Sequence, residues 1–350
     1  MANIRNQDSW VHSHNPDAAT EKAKDLVRMA VAKAFLASPL RETDLPVNRS
    51  ALVVGGGVAG MTAAVALARQ GYPVYLVEKS EYLGGNARSL NKTYKDEDIP
   101  GFLSNLVREV EAEPDITAHL GTTISGVDGF VGNFETVLSS GDLPVTVNHG
   151  VAILATGAKD YKPQEYLYGD HAAVVTHLEM DALFRHDDQR IKRAGDVVFI
   201  QCVGSRNEEH PYCSKVCCTH SIKSALELKK RNPETHVYVL YRDIRTYGER
   251  EDLYREARSR GILFFRYDPD EKPEVSANGK RVAVKFKDPI LGRNLIVNAD
   301  IVCLAAAIVP HDDRSLARLF KVPVDTDGWL LEAHQKLRPE SRPVDCRHPD

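Results

Sequence analysis

The apolar residues of this chain fall into short unbroken runs separated by punctuation. ALVV (51–54), PVYLVE (73–78), VAILATGA (151–158), DVVFIQ (196–201), HVYVLY (236–241), ILFFRY (262–267) and ADIVCLAAAIVP (299–310) are such runs. Runs apolar at consecutive positions predict strands buried on both faces. Between them lie helical patterns: MTAAVALARQ, ended by Gly71, then SIKSALELKKR (221–231), and EREDLYREARSR (249–260), closed by Gly261. Strand–helix alternation on this scale predicts parallel sheets flanked by helices, an α/β fold with two doubly wound units. Residues 116–149 read differently. Alternating segments rich in Gly and Ser, such as FETVLSS and LPVTVN, predict a small antiparallel meander. RVAVKF and NLIVNA, flanking DPILGRN, predict a hairpin.

Ahead of this lies a peripheral segment, residues 1–46. Asp17 to Leu36 predicts a helix, with Leu26, Met29, Ala30 and Lys33 at 3–4 spacing, and SPLRETDLPVN reads as a linker. Trp10, His12 and His14 predict a surface turn with a docked Trp, since no carboxylate or thiol repeats there at ligand spacing. The expected domains are this helix and linker (1–46), a first nucleotide-binding part (47–165), an inserted second unit (166–280), and a return to the first (281–350).

Composition narrows the class. A length of 350 residues allows two domains, and 43% hydrophobic with 27% charged residues is the balance of a globular protein. A net charge of -4 offers no basic footprint for nucleic acid and no polybasic membrane anchor. No apolar run reaches the ~18 residues of a membrane span, and MANIRNQDSW lacks the pattern of a signal peptide. Six cysteines are too few for a disulfide scaffold. A cytoplasmic protein with reduced thiols is the expectation.

Gly55-x-Gly57-x-x-Gly60 lies between a strand and a helix, and Glu78 ends the next strand. In that context the glycines predict a dinucleotide site. Gly55 permits the turn, Gly57 lets a pyrophosphate approach a helix N-terminus, and Gly60 lets helix pack on strand. Glu78 is the candidate acceptor for ribose hydroxyls, with Lys79 beside it. FAD and NAD share this fingerprint. Leu83-Gly84-Gly85 resembles the second pyrophosphate loop of two-dinucleotide-domain flavoproteins, and Ala155-Thr156-Gly157 resembles their strand-end motif. Three motifs in that order favour FAD.

In the second unit, DVVFIQ runs into QCVGSR with a single glycine, Gly204, where a second nucleotide loop belongs. In its place is QCVGSRNEEHPYCSKVCC, spaced Cys202-x10-Cys213-x3-Cys217-Cys218, with a helix expected just after Cys218. Four thiolates suit a zinc ion or an iron–sulfur cluster, and a redox dithiol is the third possibility. The loop has no CxxC knuckle and two of its thiols are adjacent, which favours a [4Fe–4S] cluster over zinc. Cys217 and Cys218 at a helix start gain from its dipole, and Arg206 and Lys215 offset negative charge. Cys303, in an apolar strand, and Cys346, in a polar tail, read as ordinary thiols.

These stretches, with YVLYRDIRTYGEREDLYREARSRGI, closely resemble the A-type subunits of CoB–CoM heterodisulfide reductase and their relatives in sulfate reducers and other anaerobes. The resemblance runs to about Arg338. It implies a thioredoxin-reductase-like core of two Rossmann-like, three-layer domains, carrying FAD and a [4Fe–4S] cluster on Cys202, Cys213, Cys217 and Cys218. It further implies that Lys223 lies near the flavin N5, where a cation stabilises reduced, anionic flavin. Expected partners are the disulfide-reducing and iron–sulfur subunits, with a hydrogenase, formate dehydrogenase or ferredoxin as electron donor, around a homodimer core. The implied role is electron relay or bifurcation, in the disulfide chemistry of methanogenesis or its anaerobic counterparts. Three departures follow. The family carries a domain before this start. Asp8 stands where a QCSWVH-like segment has Cys. LRPESRPVDCRHPD stops before the last flavin-covering strand and helix, so the C-terminus is expected to be truncated. The rival functions are an NAD(P)H-dependent flavin oxidoreductase, which the missing second glycine loop disfavours, and a non-catalytic assembly module with a structural metal.

Overall fold

The structure, a computed structural model, describes residues 1–39, 44–141 and 143–332. The chain divides into two units, residues 1–46 and 47–350.

In the first unit, helix α1 (Pro16–Leu36) begins at Asn15, whose side chain accepts from the Ala18 N–H, with Pro at the first helical position. Both are start signals that satisfy or avoid orphan donors. Within this unit Trp10 is not docked. The residue is 67% exposed, with the Arg5 guanidinium over its ring, 5.2 Å from the centroid.

The second unit is built on two parallel sheets. The first comprises β1 (Ala51–Val54), β2 (Val74–Val77), β3 (Ile116–His119) and β7 (Val151–Leu154), in the order β3-β2-β1-β7. Helices α2 (Val58–Ala68) and α3 (Ile99–Ala112) are the crossovers. Met61, Ala64 and Val65 of α2 pack with Leu106 and Val110 of α3 against Ala51, Val53 and Leu76. The meander β4 (Thr123–Phe130), β5 (Asn133–Ser140) and β6 (Leu143–His149) forms a separate antiparallel sheet. It takes in less than expected, because Ile116–His119 pairs in parallel with β2 instead.

Between the sheets runs the short β8 (Ala158–Asp160). The second parallel sheet uses β9 (Val174–Thr176), β10 (Asp196–Val203), β11 (His236–Tyr241), β12 (Leu263–Arg266) and β16 (Ile301–Ala306), ordered β12-β11-β10-β16-β9. Helices α4 (His177–Arg185), α5 (Gln189–Arg193), α6 (Cys217–Arg231) and α7 (Glu251–Ser259) accompany it. On its other face lies an antiparallel sheet of β13 (Glu274–Asn278), β14 (Arg281–Asp288) and β15 (Arg293–Ala299). Val282, Val284 and Phe286 of that sheet bury against Val198, Ile200 and Leu304.

The expected domain limit at residue 281 therefore moves. The β14–β15 hairpin and β16 belong to the second sheet, and the chain returns only at β17 (Ile308–Pro310), which pairs with β8. Helix α8 (Arg314–Leu319) then packs Leu316, Leu319 and the following Phe320 under the first sheet with Leu52 and Val77. The physical reason is simple: a strand apolar at every position has no preferred face, so its sequence does not say which buried sheet it enters. Cys346 and the tail motif lie outside the described residues.

Candidate functional site

At the end of β1 the chain turns through Gly55 at φ +113°. A methyl there would stand 2.3 Å from the Ala155 carbonyl oxygen. One at Gly60 would stand 1.8 Å from the Gly55 carbonyl, so helix and strand touch through their backbones. Gly57 differs. It caps α2 in ordinary extended geometry, and a methyl there would meet no atom within 4 Å. Its missing side chain leaves open space at a helix N-terminus, as close anion approach requires.

The other two glycine motifs converge on this loop. The Gly84 N–H donates to the Gly56 carbonyl at 2.8 Å, Gly84 bridges Gly57, and a methyl on Gly85 (φ +51°) would lie 3.2 Å from the Gly57 Cα. The Ala155 N–H donates to the Val54 carbonyl at 2.7 Å. Asn86 Nδ2 donates to the Ala158 carbonyl at 2.6 Å, joining the second loop to the β7 exit, where Gly157 adopts φ +71°.

Glu78 is buried beside them. Its Oε2 accepts from the Gly56 N–H at 2.6 Å, and its Oε1 accepts from the Ser80 N–H and hydroxyl, each at 2.8 Å. The carboxylate thus braces the glycine loop and keeps lone-pair capacity for a hydroxyl. A cavity of about 170 Å³ opens here, lined by Gly55, Glu78, Lys79, Thr122, Thr156 and Asp313. Lys79 is exposed, its Nζ 3.5 Å from His311 Nδ1. Burial, and then the Lys79 charge, lower the His311 pKa. The open step at Gly57, the convergence of three glycine motifs and the free acceptors of Glu78 fit a dinucleotide.

The second sheet ends in the cysteine loop. Cys202, Arg206 and Lys215 all take left-handed backbone angles, φ +62°, +57° and +63°. Non-glycine residues hold such angles only where their surroundings enforce them, and they gather at functional sites. Helix α6 starts at Cys217, earlier than its pattern suggests, so both adjacent thiols occupy its first turn. Burial raises the pKa of Cys202 and Cys218 and pushes Cys217 up to about 12. The other three sulfurs push Cys217 in the same direction, so all four thiols share one electrostatic neighbourhood. Among the described residues, no three His, Cys, Asp or Glu side chains are gathered round a single ion position.

Sulfur acceptors in this loop are already addressed by donors. The Lys215 N–H points at Cys213 Sγ, 3.4 Å away, and the Arg245 backbone reaches Cys218. The Arg206 guanidinium works against burial at Cys202, holding the thiol down. Four flanking side chains, Gln201, Thr219, Arg242 and Thr246, carry buried polar atoms without a partner. Buried donors of this kind are costly unless an acceptor fills the space between them. Thiols whose charged forms would repel one another, N–H groups aimed at sulfur and orphaned donors suit a cationic core with acceptor atoms of its own, such as iron with sulfide.

Where a second nucleotide loop belongs, Gly204 (φ +71°) is covered. A methyl on it would fall 2.2 Å from the Tyr161 ring. The ring and His210 pack edge to face, 5.7 Å apart. Lys223 is 14% exposed, and its Nζ pairs with Asp96 Oδ1 at 2.7 Å, drawing the Asp96 pKa down. That pair ties α6 to the loop before α3. Sequence reasoning missed Arg242 and Asp243 beside the thiols. It also missed a largely buried set on α4 and α6, in which His177 Nε2 meets Ser221 Oγ at 2.6 Å, His177 stacks on the half-buried His220, and His220 meets Asp181 at 3.1 Å. Each joins residues from different elements, which no spacing rule reveals.

Residues 51–152 match the family model described as FAD dependent oxidoreductase. The chain is 32% identical to the A subunit of the H(2):CoB–CoM heterodisulfide,ferredoxin reductase of Methanothermobacter marburgensis, over 97% of this chain and 65% of that protein. It is 31% identical to an iron–sulfur A subunit of the CoB–CoM heterodisulfide reductase of Methanopyrus kandleri, over 99% of this chain and 67% of that one. The chain belongs to the heterodisulfide reductase A-subunit family. It spans about two-thirds of the length of these relatives. The fold of this A-subunit homologue is that of solved thioredoxin reductases. They include the enzyme of T. acidophilum (TM-score 0.56, 18% identity, 83% of this chain and 86% of that one). The Lactococcus lactis enzyme is another (TM-score 0.56, 18% identity, 86% and 91%). Among the described residues, no helix of the A-subunit homologue is long and apolar enough to cross a membrane.

Proposed function

We propose that the chain is an electron-transferring iron–sulfur flavoprotein, the A-type subunit of a heterodisulfide-reductase-type complex. FAD lies along the glycine loop and a [4Fe–4S] cluster is held by Cys202, Cys213, Cys217 and Cys218. The observation that carries this is the substitution at the second sheet's loop: four thiols between the end of β10 and the first turn of α6, with Tyr161 over the one glycine. A hydride-donor site has given way to a one-electron carrier. FAD supplies the exchange between paired and single electrons, and the cluster carries single electrons.

In this reading the protein's own groups have defined work. Gly57 and the α2 N-terminus receive the pyrophosphate. Glu78 orients the ribose while bracing Gly56, Lys79 and Gly84–Gly85 flank the anion, and Ala155–Gly157 backs the ring system. Lys223 supplies a cation toward the flavin, shared with Asp96 in the present geometry. Electrons enter from a hydrogenase, formate dehydrogenase or ferredoxin partner and leave toward disulfide-reducing subunits, with bifurcation at the flavin as the fuller form of the relay. The names of relatives, which mention H2, formate and ferredoxin, support this choice of donors.

The test is an anaerobic visible spectrum with iron, sulfide and flavin assays on the full chain. The expected content is about four iron and four sulfide per flavin. Zinc without iron, or flavin bleached directly by NAD(P)H, overturns the reading.

A further inference from the structure

Arginine gathers round the cysteine loop in a way the relay alone does not explain. Arg206 Nη2 holds Asp243 Oδ2 at 2.7 Å. Arg245 and Arg266 also face Asp243, each at 3.9 Å. Arg242 donates from Nη1 to the Arg206 carbonyl at 2.8 Å, and its own carbonyl accepts from Arg266 Nε at 3.1 Å. Three guanidinium groups thus gather about one carboxylate, with Arg242 tied to two of the three arginines through backbone carbonyls, and the Asp243 backbone carbonyl lies 3.6 Å from Cys218 Sγ. Arg206 and Arg242 are the inner pair: Arg206 is only 21% exposed, against 68% for Arg266. The Arg242 Nε–H is buried and has no partner. Such a donor is expensive unless an acceptor faces it.

We propose that the Arg206–Arg242 pair sets the reduction potential of the group held by the four thiols. The inference rests on the cluster reading above. When such a group takes up one electron from a reductant, its charge becomes more negative by one unit and no proton need follow. Fixed cations nearby therefore favour the reduced form, and hydrogen bonds to sulfur act in the same direction. Guanidinium is the suitable cation, because it stays charged when partly buried and presents several N–H groups at fixed angles. Asp243 anchors the knot and removes only one of its four positive charges. The pull of both guanidiniums on the Cys202 thiol fits this placement.

The experiment uses the full chain loaded anaerobically with iron and sulfide. Iron and sulfide are measured first, then the protein is titrated with dithionite under electron paramagnetic resonance. Arg206→Gln and Arg242→Gln should keep their iron and sulfide, yet each should hold about tenfold less reduced cluster at a fixed poise. Arg242→Lys should restore wild-type behaviour in large part. Arg266→Gln, an exposed control, should shift far less. If Arg206→Gln loses iron, Arg242→Gln alone decides. Fully loaded Gln variants that titrate like wild type overturn the inference and leave the cluster reading intact. Wild-type protein that takes up no iron overturns both.

Discussion

Gly57 and Gly60 stand three residues apart, yet the same substitution should do opposite things at the two positions. At Gly57 the backbone is already extended, φ -76° and ψ -178°, and an alanine methyl would meet nothing within 4 Å. Alanine there loses a little as a helix cap, about 0.5–1 kcal/mol. It regains about 0.4–1 kcal/mol by stiffening the unfolded chain. The net change in stability should be within about 1 kcal/mol, a few degrees in melting temperature. The methyl would, however, enter the open space that the proposed function assigns to a pyrophosphate. Overpacking of that kind costs about 1–3 kcal/mol, or roughly 5- to 150-fold in flavin affinity. At Gly60 the methyl would lie 1.8 Å from a backbone oxygen that cannot swing aside, so helix α2 must move. Gly60→Ala should therefore lose about 3 kcal/mol of stability, flavin or no flavin. Thermal melts of apoprotein, paired with equilibrium flavin titration, separate the two. Undiminished flavin affinity in Gly57→Ala, or melting lowered as far as in Gly60→Ala, would refute the assignment of that open step to the ligand.

Three further outcomes are expected. Cys217→Ser should lose iron, sulfide and the broad visible absorbance while flavin remains; retention of full iron content would remove Cys217 from the ligand set. Glu78→Gln turns a donor toward the Gly56 N–H and should cost about 1–3 kcal/mol by urea unfolding, together with flavin affinity. Stability should also fall as the solution is acidified through the histidine range. The His149 Nδ1–H donates to the Val151 carbonyl, the Thr136 hydroxyl faces Nε2, and burial lowers the pKa from 6.5. The unfolded chain then takes the proton first, so this contribution is complete above about pH 6.5 and is lost as pH falls toward the folded value. His119 and His177 shift the same way through burial. His149→Gln should accordingly show a shallower decline in melting temperature from about pH 7.5 to about pH 5.5 than wild type.

What the sequence revealed, it revealed through period and punctuation. Each apolar run became a strand, and Gly71 and Gly261 fell just beyond their helices at φ +82° and +77°. The three glycine motifs, far apart in the chain, do meet. The parts missed or misread depend on neighbours that their own pattern does not name. Ile301–Ala306 is apolar on both faces and carries no mark of its sheet, so the domain limit falls later than the pattern suggests. Glu274–Asn278 is short, largely exposed and polar, and it pairs only because β14 offers it an edge. The size of Trp10 favours burial, but within its own unit the Arg5 guanidinium over the ring leaves the residue 67% exposed. At the thiol site, the cysteines were legible because they lie in one loop. Arg242 and Asp243 arrive from the end of β11, and only the strand order β11-β10 brings them there.

The ring of Tyr161 above Gly204 also bears on how such a protein is redesigned. Gly204 has no side chain because an aromatic ring takes the space, not because a ligand needs it. Restoring glycines to the cysteine loop would leave that ring in place, and removing the ring alone would expose a void beside four thiols. Neither change is useful without the other, and the two positions are 43 residues apart in the chain. Engineering a nicotinamide-binding loop here would thus need both positions changed at once. A library seeking that conversion should vary residue 161 and the loop from residue 202 to residue 206 together.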